Sequence, residues 1–248
     1  MAGVRKSLII ILFICPTLAF LQTANPAPFP AIRLVKGSEF ERFNKYPAFD
    51  NDKPVIPLSE GGQRLQQFYL SLDVEHLWIA GQHINWETGV ADNPDATSGI
   101  HTHCSAFVAA ACKRLNIYIL RPPEHKQILL ANAQYDWLTT KEATDAGWKP
   151  IMGNNIYEAA QSLANRGTVV MAICKNEDEK KPGHAALIMP DQIALEKIAE
   201  SGPVLIMAST HNFNKISLRN GFKSHVTMWP EHVISFYYNA KVPVFAMP

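Results

Sequence analysis

The sequence predicts an α+β domain. Three stretches with helical periodicity between residues 61 and 167 precede five short apolar runs that read as strands of an antiparallel sheet. With 248 residues, 47% of them hydrophobic, the chain fits one substantial domain once its N-terminus is set aside.

The N-terminus reads as a cleaved export signal, residues 1–24. Arg5 and Lys6 precede an apolar run from Leu8 to Cys15, and small residues suited to cleavage follow near Ala19 or Ala24. The run is shorter than the roughly 20 apolar residues of a membrane helix. Ile14 stands where lipidation of Cys15 would want a small residue, so no stable membrane insertion is expected after cleavage. Residues 25–60 are rich in proline and lack a sustained period, which suggests an extended arm. The domain proper is then 61–248.

Within it, Leu65, Phe68, Tyr69 and Leu72 recur at helical spacing. Residues 86–100 have turn-forming composition and read as a long loop. The next segment is a helix carrying Phe107, Val108, Ala111, Cys112 and Leu115 on one face, with Cys104 in its first turn. A third helix opens at Asn155, which pairs with Glu158 as a capping box, and stops at Gly167. The strands follow at 168–174, 184–189, 204–209, 226–229 and 233–238. The charged run 176–183 between the first two reads as a solvated hairpin loop.

Cys104 is the residue on which function turns. A helix N-terminus favours an anion and a nearby imidazole can hold a proton, and both lower a thiol's pKa. His184, opening an apolar strand after a turn, is the preferred partner, its ring projecting from the sheet edge toward the helix. Two other readings stand beside this one. Cys104 can be a small buried core residue, or His101, His103 and Cys104, with His184 as a fourth ligand, can hold zinc. No CxxC or HExxH spacing is present. Three cysteines remain after the signal, an odd number for an oxidising compartment, and Cys104 and Cys112 sit about 12 Å apart along a helix, too far for a disulfide.

The segment "HCSAFVAAACKRLNIYILRPPEHKQ" resembles the nucleophile segment of NlpC-type cell-wall peptidases, a papain-like group. Cys104, Ser105, Phe107, Val108, Ile117, Leu120 and Gln127 carry the likeness, and "GTVVMAIC" followed by "PGHAALIMP" is similar to the family's next two strands. The resemblance covers roughly residues 75–212. It implies a papain-like fold, Cys104 as nucleophile, His184 as its base, and a secreted or periplasmic amidase or peptidase acting on peptidoglycan, either within the stem peptide or at its link to muramic acid. The chain departs from the pattern in three places. His103 replaces an Asp, Ala106 replaces a Gly, and Met207 falls where a polar residue should orient the imidazole. His211, then Asn212, then Ser209 are the nearby substitutes. The upstream Tyr of the family has no clean match among Gln82, His83 and Trp86. Gln82, Trp86, His103 and Ser105 are the candidate substrate-binding residues, and the amide of Cys104 is an oxyanion donor.

Net charge is +1, from 23 basic and 22 acidic residues evenly mixed, with no basic stripe, so nucleic acid is not an expected partner. A monomer without metal or cofactor is expected. The rivals are a zinc-binding protein built on His101, His103 and Cys104, and a non-catalytic wall-binding domain on a degenerate scaffold. His76, His125, His225 and His232 are read as ordinary surface or core residues, and most of the tryptophans as core.

Overall fold

The computed structural model describes residues 54–93, 96, 101–224 and 234–241. The segment read as an export signal, most of the expected arm and the strand expected at 226–229 lie outside the described residues. The α+β expectation holds, with ten strands and seven helices in the described residues.

Six strands form one antiparallel sheet in the order β4 (Trp148–Pro150), β10 (Ser235–Asn239), β5 (Val170–Cys174), β6 (His184–Ile188), β8 (Val204–Met207) and β9 (Phe213–Ser217). The two central strands are buried along their whole length, which explains their continuous apolar sequence. Their register pairs Cys174 with His184 and Ile173 with Ala185.

The sheet is covered on both faces. Met171, Ile173, Ala185, Leu187 and Ile206 pack with α1 (Glu60–Leu70) and α2 (Cys104–Arg114). Val170, Ala172, Cys174, Ala186, Ile188, Leu205 and Met207 pack with α5 (Ile156–Asn165), α7 (Leu218–Gly221) and Phe222. Alternate residues of each strand therefore belong to different layers, as the pleat requires.

Helix α2 is rich in alanine, a strong helix former, and small enough to lie close to the sheet. Every residue from Cys104 to Cys112 is buried, a wider contact than the single face read from the sequence. Its C-terminus closes with Asn116 in the left-handed region: the Ile117 amide donates to Cys112 O and the Asn116 amide to Lys113 O, the paired bonds of a Schellman motif. Lys113 and Arg114 complement the helix dipole there.

The loop expected over 86–100 instead contains β3 (Ala91–Asn93), which pairs with β2 (His83–Ile84). Two short helices, α3 (Leu130–Leu138) and α4 (Lys141–Asp145), follow α2. A last pair, β7 (Ile193–Ala194) and α6 (Leu195–Ser201), lies between β6 and β8. The end of the proline-rich arm is tied down, because β1 (Val55–Ile56) pairs antiparallel with β7.

One buried side chain gathers this corner. Asn165, at 0% exposure, donates through Nδ2 to the carbonyls of Ile56, Pro57 and Asp191 and accepts through Oδ1 from Gln161 Nε2 and the Asp191 amide. Its own carbonyl accepts from the amide and hydroxyl of Ser59, the N-cap of α1. A Cβ on Gly62 would stand 2.2 Å from that carbonyl, so α1 approaches α5 only because glycine is there. The capping box expected at Asn155 does not form. Asn155 is the N-cap of α5 but makes no side-chain cap hydrogen bond, its backbone lying at φ −114°, ψ 43° rather than in the extended region that aims a side chain at the first turn.

These two asparagines separate in a stability measurement. Asn165→Ala leaves buried carbonyls and amides unpaired and is expected to cost about 2–4 kcal/mol in urea unfolding. Asn155→Ala, with no cap bond to lose, is expected to cost less than about 0.5 kcal/mol, below the usual ~1 kcal/mol of a working cap.

Candidate active site

Cys104 opens α2 and His184 opens β6, and the helix start lies by the leading end of that strand. The His184 ring, however, turns to the Phe222 side, the layer of Ala186 and Ile188, and not toward the helix as expected, because successive strand residues alternate between faces. Helix α2 packs on the face of Ala185 and Leu187. The Ala185 amide, the peptide group that directly follows His184, is the first of the nearby donors that favour the anionic form of the Cys104 sulfur. The His184 ring packs edge-on against Phe222, with centroids 4.7 Å apart, beside the layer that holds Ala186 and Ile188. Both residues are deeply buried, at 4% and 3% exposure. Cys174 stands directly across the strand pair from His184.

The electrostatics correct one expectation. Burial pushes the Cys104 thiol above its ordinary range, and the donors around it, the amides of Ala185, Ser105 and Cys104 and the Ser105 hydroxyl, only partly offset this. The helix N-terminus supplies the amides as foreseen, but desolvation outweighs them. Cys112 and Cys174 are both pushed up to about 12, chiefly by burial.

His103 precedes the helix as its N-cap without a side-chain cap bond. Its Nε2 lies 2.9 Å from Gln82 O, and burial holds its imidazole below the ordinary range, so it tethers the 79–82 loop to the start of α2. The Gln82 side chain itself is exposed. Ser105 is buried, and its carbonyl accepts from Gln134 Nε2 at 3.3 Å. Of the four candidate substrate contacts, Trp86 stands apart. It lines a cleft of about 340 Å³ with Lys113, Arg121 and Pro122, and the Lys113 Nζ lies 5.3 Å from its ring. Lys113 is nine residues beyond Cys104, so this cleft is at the far end of α2, about 13 Å away along the axis.

The third polar residue is not where the sequence suggested. His211 is exposed. Asn212 donates through Nδ2 to the carbonyls of Val74, Leu77 and Trp78 and accepts through Oδ1 from the Ser209 amide, which makes it a clamp on the turn after α1. Met207 lies in the same layer as Ala186 and brings no polar atom. Among the described residues, no group of three or more His, Cys, Asp or Glu side chains is placed to hold a metal ion, which removes the geometric basis for a zinc site at His101, His103 and Cys104. No helix among the described residues is long and apolar enough to cross a membrane.

Sequence reasoning missed Phe222, Gln134 and Asn132. Gln134, fully buried on α3, donates to both Ser105 O and Leu120 O, a role that Gln127 does not take. No protein-family model, curated protein or solved structure matches this chain.

The buried thiols fix a pH dependence. Thiols in the unfolded chain ionise near 8.5, whereas folded Cys112 and Cys174 hold their protons to about 12. The unfolded state therefore binds fewer protons in that window, and stability is fully present below about 8.5 and falls as pH rises toward 12. Urea midpoints are expected to drop between about pH 7.5 and 9.5, and the drop is expected to shrink in Cys112→Ala. An unchanged slope in that variant would contradict the assignment.

Proposed function

We propose that the protein is a secreted cysteine hydrolase of papain-like, NlpC-type design that cleaves an amide bond of peptidoglycan. The observation that carries this reading is a thiol in the first turn of a buried helix whose start lies beside the main chain at the leading end of β6, the strand that His184 opens. The order of parts, helix with cysteine and then strand with histidine in an antiparallel sheet, supports it.

Because burial keeps the thiol protonated, a base must take the proton as the sulfur attacks. His184 takes the Cys104 proton while the sulfur bonds to the amide carbonyl carbon, and the Cys104 amide holds the resulting oxyanion. The C–N bond then breaks and the leaving amine receives the proton from His184. Water, deprotonated by His184, attacks the thioester and releases the acid, restoring the thiol. The N-terminal export signal is consistent with a substrate in the wall, and the protein acts as a monomer without a cofactor.

A second reading, a non-catalytic wall-binding domain on a degenerate scaffold, is favoured by the protonated, buried thiol and by Asn212, whose amide is already engaged. The two separate on mass spectrometry of peptidoglycan fragments after incubation with wild type and with Cys104→Ser. Hydrolysis predicts fragments from wild type that fall by at least about 1000-fold in the variant, their masses naming the bond. Co-sedimentation of both proteins with insoluble peptidoglycan and no fragments from either would establish the binding reading instead.

A further inference from the structure

Asn132 lies in the first half of α3, 6% exposed, and its amide is spent on the loop between β5 and β6. Oδ1 accepts from the Gly183 amide at 2.7 Å and from the Asn176 amide at 3.3 Å, and Nδ2 donates to Lys181 O at 2.9 Å. These three bonds close the loop at both ends, on Asn176 as it leaves β5 and on Gly183 as it enters β6. The intervening residues Glu177, Asp178, Glu179 and Lys180 are exposed and bring no apolar anchor. Gly183 is the residue before His184, and it has no room for a side chain: a Cβ there would meet Cys174 O at 2.1 Å and Asn132 Oδ1 at 2.6 Å. Two positions on, Gln134 holds the carbonyl of Ser105, the residue after Cys104. One helix thus grips the main chain beside both reacting residues.

We infer that Asn132 is a positioning residue for His184: by accepting the Gly183 amide it sets where β6 begins, and so where the imidazole stands relative to the Cys104 sulfur. This rests on the reading of His184 as the base that takes the Cys104 proton. The acceptor oxygen is the working part. Asn132→Asp keeps it, whereas Asn132→Ala removes it and leaves the Gly183 and Asn176 amides without a partner.

The test is the rate of Cys104 alkylation by iodoacetamide across the range from about pH 7 to 10, followed by peptide mapping, together with kcat and KM on peptidoglycan stem peptide. His184→Ala gives the rate without a base. The inference predicts that Asn132→Ala falls at least about tenfold toward that floor near pH 8, with kcat falling and KM within about twofold. Asn132→Asp is expected to stay within about threefold of wild type, a rescue that general loosening of the fold would not produce. Should Asn132→Ala not fold, Asn132→Ser, whose hydroxyl falls short of the Gly183 amide, carries the same expectation. Wild-type rates in Asn132→Ala, or equal losses in the Ala and Asp variants, would overturn the inference. A wild-type rate in His184→Ala would instead overturn the reading of His184 as base, and alkylation reports on either without any need for peptidoglycan cleavage.

Discussion

Helix α2 packs against the Ala185 and Leu187 face of β6 with every residue from Cys104 to Cys112 buried, and this packing brings Cys104 to the start of that strand. Only a run of small residues permits such an approach. Ala106, Ala109, Ala110 and Ala111 give a helix whose backbone can settle onto Ala185 and Leu187, and Phe107 fills the space toward Trp78, with ring centroids 5.3 Å apart. Replacing any of these alanines by a bulky side chain would lift the helix and carry the thiol away from the strand. The position of Cys104 is thus a packing result before it is a chemical one.

Burial then decides the chemistry available. The helix N-terminus turns amides toward the sulfur, but the same close packing removes the water that would stabilise a thiolate, and desolvation is the larger effect. On the proposed reading, the sulfur attacks from the thiol form and a base takes its proton, so whatever fixes that base matters. The loop before His184 is charged and exposed, so its closure relies on hydrogen bonds from outside it, and the buried amide of Asn132 supplies them. The Asn165 network performs the same service at another corner, where it binds α1, α5 and the arm strand through main-chain groups.

The elements legible in the sequence are those in which burial and local propensity agree. Helix α2 combines alanines with an asparagine at its C′ position, and β5 and β6 are unbroken apolar runs, so each was placed within a few residues. Helix α3 was not legible because its buried face carries Asn132 and Gln134, polar residues that interrupt the apolar period, and because it starts from a left-handed Leu129 without a capping side chain. Strand β9, "FNKIS", is half-buried at the sheet edge and has too little apolar alternation to stand out. At the site, residue type and position in an element singled out Cys104 and His184, and the structure puts them at the starts of α2 and β6. The rest depended on tertiary partners that the sequence does not encode locally. Asn212 has the chemistry to orient an imidazole, yet its amide is drawn to the turn after α1, and Trp86 is close in sequence to the nucleophile loop but packs at the far end of α2.

The central claim is that the Cys104 sulfur becomes acylated. Its most direct test is acid-quenched intact mass spectrometry of the protein mixed with peptidoglycan stem peptide, followed by mapping of the modified residue. The claim predicts an acyl adduct on Cys104 that hydroxylamine removes and that is absent in His184→Ala. Cleaved peptide with no adduct on Cys104, or with the adduct on another residue, would contradict it.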